Sequence, residues 1–397
     1  MKFRKALFPK KRKNDSRFKY WVRLSHLWLG LLSSLVILIV CLTGCLYAFK
    51  NQINDFYNRE QLFVQVENQP LSLQYFEEKF RQENLNIQSF VHPEKNNRSW
   101  LITTKNRDTH HLQTYYYNPY TGENLGQTQE HWNSFFRTVE TLHKNLMLGE
   151  TGKQIVGAFV LVFIFLIFTG LILWFPKRKK RQIKQALTIQ WTGKFHRLNY
   201  DLHNTLGFYT WVFLFFISIT GVYITYPWVK TAVLVSLGGE SIQQQTQMQE
   251  DGISDTFALL MEDQLDKQNE QSSLDKLDLL PLSQILVLVH KELPYQGTTH
   301  IAFPDENNPR YRIQKIRTTQ WLGAQLPDFI ELDQNGETKR KDLFLQKPLH
   351  QQFKELSKPL HTGEIMGWKG AVLYFLITLI GFSLPITGFI IWWKKIK

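Results

Sequence analysis

Only two cysteines occur in 397 residues, so no disulfide framework can staple this fold. Cys41 and Cys45 stand four apart in an apolar run, on one turn of a helix, and read as packing residues. No Gly-x-Gly-x-x-Gly fingerprint follows a strand pattern, which removes the common signature of a bound dinucleotide. No acid sits in the middle of a long apolar run, and Pro385 is the single helix breaker there. Both absences argue against an ion-coupled transporter. No small-residue cleavage pattern follows the first apolar run, so that run reads as an uncleaved signal anchor.

What is present is apolar and repeated. Hydrophobic residues make up 43% of the chain and aromatic residues 14%, gathered into blocks in the manner of a membrane protein with polar insertions. Two of these blocks share one pattern: His26, Gly30, Thr43-Gly44 and His203, Gly207, Thr220-Gly221, with seventeen residues from His to Thr in each. Two others share a second pattern, His143, Thr169-Gly170, Trp174 and His361, Thr387-Gly388, Trp392, with twenty-six residues from His to Thr. Each block is long enough to cross a hydrocarbon layer of about 30 Å at about 1.5 Å per residue. Two independent long-range coincidences indicate a duplication, span A and span B followed by span A′ and span B′.

The net charge of +13 resembles a nucleic-acid signal until it is divided by position. Residues 1–25 hold ten Lys/Arg and one acid, residues 176–201 eight and one, and the tail after Trp393 three and none. The rest of the chain is net acidic. The excess therefore flanks the spans on one side, the positive-inside distribution, and no nucleic-acid partner is expected. Both termini and the 176–195 loop are expected in the cytoplasm of a bacterial cell with the chain in its inner membrane, and the two large insertions outside.

The chain then divides into a basic N-terminus (1–23), span A (24–49), an outer insertion (50–142), an outer approach and span B (143–175), a basic loop (176–195), span A′ (196–228), a second insertion (229–358), an approach and span B′ (359–393) and a short tail (394–397). In the first insertion, Ser72 reads as the N-cap of a helix with Leu73, Phe76 and Phe80 on one face, and SWLITTK and TYYYNPYTGENLG read as strands. In the second, LSQILVLVHKELP reads as a helix, THIAFP, RYRIQKIR and FIELDQNGETK as strands, and the stretch from Gly238 to Ser273 as polar loop. The expected fold is a membrane α-helical bundle of four spans in two repeats with two α+β insertions outside. Pro385 is expected to kink span B′.

Of the twelve histidines, His92, His110, His111, His131, His290, His300 and His350 lie in polar segments and read as surface or internally satisfied histidines, not ligands. The four repeat histidines fall at two levels. His26 and His203 lie near the inner face, His143 and His361 near the outer one, so each level holds two imidazoles related by pseudo-symmetry. That is what axial ligation of an iron porphyrin requires, and two b-type haems would fit, one per leaflet. A proton or ion path is the competing reading of these residues. The glycines near them serve close approach of a macrocycle or simply of another helix. His196 lies seven residues before His203, on the same helical face and about 10 Å away, as an alternative ligand or, with Arg23 and Arg197, a propionate partner.

The stretches RLSHLWLGLL, LHKNLMLGETGKQIVG, NYDLHNTLGFY and LHTGEIMGWKG, each with its Thr-Gly partner run, resemble the PepSY-associated transmembrane family. NPYTGE at 118–123 is similar to the turn that closes PepSY domains, and the Asp333–Glu337 turn is a divergent second copy. The resemblance implies PepSY-like insertions and a four-span haem protein of the inner membrane that reduces ferric siderophores at the periplasmic face. It implies His26, His143, His203 and His361 as haem ligands, and oxidoreductase activity without a catalytic acid or nucleophile. The implied partners are membrane lipid, a ferric siderophore or other iron complex, and an electron donor that is either quinol or a cytoplasmic reductase. A peptide-binding or protease-regulating PepSY module, with spans that merely anchor it, is the alternative.

Overall fold

The computed structural model describes residues 16–175, 180–239, 279–305, 308–318 and 325–395. Most of the polar stretch read as loop at 238–273 lies outside the described residues. The chain forms two compact units: residues 1–52, 131–233 and 355–397 make the helical unit, and residues 53–130 and 234–354 make the sheet unit.

Four helices of the helical unit are long and apolar enough to cross a membrane. Span A runs Arg17–Ala48, opened by Ser16, whose hydroxyl accepts from the Lys19 N–H at 3.1 Å, an N-cap of the usual kind. Span B runs Gly149–Trp174 and span A′ Phe195–Thr225. Span B′ runs Gly367–Trp393 as one helix with Pro385 inside it. Span A packs against B and B′, and so does A′, so the two like spans lie diagonally across the bundle. Ile167, Leu214 and Ile377 are buried where B, A′ and B′ meet, but most apolar side chains of the spans face outward, as a lipid-facing bundle requires. The protein is therefore a membrane protein.

Spans B and B′ do not simply extend outward to their histidines. Each is preceded by a separate amphipathic helix, Glu130–Asn145 (α2, following α1 of the sheet unit below) before B and Leu349–Thr362 (α4) before B′. The breaks are built alike. Gly149 and Gly367 adopt positive φ of 60° and 56°, six residues after His143 and His361. Three residues later a Cβ at Gly152 would lie 1.7 Å from the Asn145 carbonyl oxygen, and one at Gly370 2.0 Å from that of Gly363. No side chain fits at either of these two positions, so both call for glycine.

In the sheet unit, helix α1 (Leu73–Gln82) is capped by Ser72, which accepts from the Tyr75 N–H at 3.2 Å, and helix α3 is Leu282–Glu292. The strands are β1 (Leu85–His92), β2 (Trp100–Asn106), β3 (Leu112–Tyr117), β4 (Asn124–Gly126), β5 (Gly297–Ala302), β6 (Tyr311–Thr318), β7 (Gln325–Leu332) and β8 (Thr338–Asp342). They form one antiparallel sheet ordered β4-β3-β2-β1-β5-β6-β7-β8. The two insertions thus share a sheet, joined where Ser89 pairs with Ala302 and His92 with Thr299. Each four-stranded half would otherwise expose an unpaired edge at β1 or β5, and the two edges cover each other. Phe76, Phe80, Phe90, Leu282, Ile285, Ile301 and Ile313 form a common core beneath α1 and α3. His110 and His111 lie in and beside the turn between β2 and β3, His110 with a φ of 55°, rather than side by side on a strand.

Candidate functional site

The four repeat histidines come together within the helical unit as two pairs. The His26 and His203 rings lie 6.4 Å apart between centroids at an interplanar angle of 83°, and the His143 and His361 rings 6.1 Å apart at 61°. Each pair takes one histidine from each repeat.

Every ring is held by the opposite span of its own repeat. His26 Nδ1 on span A meets Thr169 Oγ1 on span B at 2.9 Å, and His143 Nδ1 meets Thr43 Oγ1 on span A at 3.0 Å. In the second repeat His203 Nδ1 meets Thr387 Oγ1 at 2.9 Å and His361 Nδ1 meets Thr220 Oγ1 at 3.0 Å. In three of the four, a backbone carbonyl three residues before the threonine shares the same nitrogen: Val40 at 3.0 Å from His143, Leu384 at 3.1 Å from His203 and Ile217 at 3.0 Å from His361. All four threonines are buried.

This arrangement fixes the tautomer. A carbonyl oxygen only accepts, so in these three rings Nδ1 carries the proton and donates. The threonine hydroxyls spend their own protons on the carbonyls one turn back, Thr169 on Phe165, Thr43 on Ile39, Thr220 on Phe216 and Thr387 on Ser383, and so accept from Nδ1. Each neutral imidazole is left with a bare Nε2, the state in which histidine ligates a metal.

The glycine after each threonine lets the ring come close. A Cβ at Gly221 would stand 3.0 Å from His361 Cε1, one at Gly170 3.3 Å from His26 Cε1, one at Gly388 3.3 Å from His203 Cε1 and one at Gly44 3.6 Å from His143 Cε1. The Thr-Gly pairs are therefore imidazole seats. The sequence spacing singled them out only as close-approach points, because the histidine seventeen or twenty-six residues upstream is not the one each of them holds.

The local folds that carry the rings differ. His26 sits in the regular helix of span A, whereas His203 lies in a π-helical segment, Leu202–Leu206, a distortion often found at functional sites. His143 and His361 stand in the last turns of α2 and α4, just before the glycine breaks. Among the described residues no three His, Cys, Asp or Glu converge as a metal-binding group, so the site consists of imidazole pairs.

His196 joins neither pair. It lines a cleft of about 310 Å³ with Asn199, Tyr200, Ile390 and Lys394, while Arg197 donates to the buried Asp201 at 2.9 Å. Asn199 does reach the inner pair, its Nδ2 donating to the Thr387 carbonyl at 3.0 Å. Trp174 stacks on Phe208 with centroids 3.6 Å apart near the inner end of the bundle, whereas Trp392 packs among Phe389 and Trp393.

Four membrane-crossing helices that hold imidazoles in two pairs, one pair at each end, define a multi-span membrane protein with paired histidine sites. The chain belongs to the PepSY-associated TM region family, whose model matches residues 23–395 and so takes in all four spans. No curated protein matches the chain.

Proposed function

We propose that this is an inner-membrane protein holding two b-type haems, one between His26 and His203 and one between His143 and His361, that delivers electrons to a ferric siderophore at the periplasmic face. The observation that carries the reading is the pairing of imidazoles across the repeats with Nδ1 tied down and Nε2 bare. Two metal–nitrogen bonds of about 2 Å plus a ring radius on either side give roughly 6 Å between centroids, and the two pairs stand at 6.4 and 6.1 Å. Two imidazoles are too few donors for a bare ion, which takes four or more. A porphyrin brings four equatorial nitrogens and needs only two axial ones.

Held by His26 and His203, or by His143 and His361, a haem would supply single-electron exchange without an open position for substrate. The chain's own residues hold the rings and exclude water from them, and the apolar spans keep each site in low dielectric. The one-sided basic flanks support a cytoplasmic position for the His26/His203 level by the positive-inside rule. Electrons would enter there from quinol or a cytoplasmic reductase and leave at the His143/His361 level. Ferric siderophore as acceptor rests on the family resemblance.

The test is direct. Purified protein reduced with dithionite and freed of excess reductant should be reoxidised by a ferric hydroxamate, with ferrous iron trapped by a chromogenic chelator. His143→Ala and His361→Ala should lose this reaction together with one haem. Reoxidation that is unchanged in both variants would overturn the proposal. A colourless protein that binds peptides through the sheet unit would point to the regulatory module.

A further inference from the structure

The Thr-Gly pairs recur four times in the same geometry, and this regularity exceeds what helix packing requires. A threonine inside a membrane helix satisfies its hydroxyl by donating one turn back, as all four do. That leaves the oxygen lone pairs free, and in all four cases they are aimed at the Nδ1 of a histidine 100 or more residues away in the chain. The four Nδ1–Oγ1 distances fall between 2.9 and 3.0 Å, although two histidines ride on spans and two on amphipathic helices. The feature common to all four is the seat.

Resting on the haem reading above, we infer that Thr43, Thr169, Thr220 and Thr387 are positioning residues for the axial imidazoles, and that their hydroxyls set ring orientation and ligand strength at each level. The physical basis is second-shell control. An Nδ1–H shared between a hydroxyl oxygen and a carbonyl oxygen makes the imidazole a stronger donor at Nε2, which favours ferric over ferrous iron and lowers the reduction potential. The same two contacts, with the following glycine beneath the ring, leave the imidazole one orientation about its bond to Cβ. The seats are wholly internal to a repeat, whereas the pairs form between repeats. Each repeat therefore presents two oriented imidazoles before it meets the other.

The experiment is a spectroelectrochemical titration of haem-loaded, detergent-purified protein, wild type against Thr387→Val and Thr387→Ser, with Thr43→Val and Thr43→Ser as the outer counterparts. Valine keeps the shape of threonine and removes the acceptor; serine keeps the acceptor. Thr387→Val should raise the potential of the inner couple and leave the outer couple in place, which also reports that the variant has folded. Thr43→Val should do the reverse, and both serine variants should return towards wild type. Low-spin ferric resonance should show the inner ring planes, 83° apart in the structure, turning in Thr387→Val and holding in Thr387→Ser. Haem retention at the altered level should fall on the order of 10-fold.

Two failures are separable. Valine variants with two haems, wild-type potentials and wild-type resonances would overturn the positioning role and leave the haem reading standing. Wild-type protein with no haem would overturn both. If a valine variant fails to assemble, Gly388→Ala keeps the hydroxyl and crowds the His203 ring from 3.3 Å. It should change the inner resonance alone, and an unchanged resonance would count against the seat.

Discussion

The His26/His203 pair and the His143/His361 pair, here called the inner and outer pairs after the orientation proposed above, reach nearly the same geometry from different structures. At the inner level the rings project from the spans themselves, one from regular helix and one from a π-helical segment. In the His143/His361 pair they project from α2 and α4, amphipathic helices that lead into spans B and B′ through glycine breaks. Yet the ring separations differ by only a few tenths of an ångström, and each ring meets a threonine hydroxyl and a glycine. The histidine-bearing elements vary while the receiving surface does not. What the two halves of the bundle share is the surface that receives an imidazole.

This comparison can be broken one level at a time. The largest effect comes from the ligands: His203→Ala should lower haem content from two per chain to one and leave the outer couple intact, and His361→Ala should do the converse, both read by haem quantitation. Loss of both haems in either variant would mean that the levels are not independent. Next are the breaks. A Cβ at position 370 or 152 meets a carbonyl oxygen at 2.0 or 1.7 Å, overpacking that costs about 1–3 kcal/mol or more. Gly370→Ala and Gly152→Ala should lower thermal stability and deplete the outer haem while the inner one stays.

A graded effect follows at the seats. Gly221→Ala brings a methyl to 3.0 Å from its histidine and Gly44→Ala to 3.6 Å, within ordinary contact. Both seats serve the outer pair, so the outer haem should be lost more readily in Gly221→Ala than in Gly44→Ala when free haem is competed away with an acceptor protein. Equal losses would contradict the ring contact as the cause. The smallest effect is at His196, which lines its own cleft. His196→Ala should leave both haem spectra unchanged, and a changed inner spectrum would restore it as a ligand.

Much of this was legible in the chain. The four spans follow from apolar length, a property a bilayer imposes, and the pairing of His26 with His203 and of His143 with His361 follows the matched His-to-Thr spacings. The role of Thr-Gly was not legible, since the repeat spacing relates two half-sites on one helix. His26 belongs to the inner level, and Thr43, seventeen residues on and about 25 Å along the axis, receives His143 at the outer level. Only the packing of A against B reveals which threonine serves which histidine. The break after α2 was hidden for a related reason: Gly149 and Gly152 are visible in the sequence, but the positive φ of the first and the close approach at the second are not.

Strand β1 was missed because its pattern is interrupted. A register shift between Ile87 and Ser89 puts Leu85 and Ile87 in one alternation and Phe90 and His92 in another, so the period-2 signal never runs long enough to register. With β1 unseen, the pairing of β1 with β5 could not be anticipated, and the insertions read as two small domains. The helices α1 and α3 were clear because Ser72, Phe76 and Phe80 in one, and Leu282, Ile285 and Val289 in the other, keep helical spacing without interruption.

The most direct test of the account is the absorption spectrum of the detergent-purified chain, oxidised and then dithionite-reduced, with pyridine haemochrome quantitation. Two b-type haems per chain, low-spin in both states, is the predicted result. Protein that is colourless when purified from haem-replete cells would contradict it, and the paired imidazoles would then need another ligand.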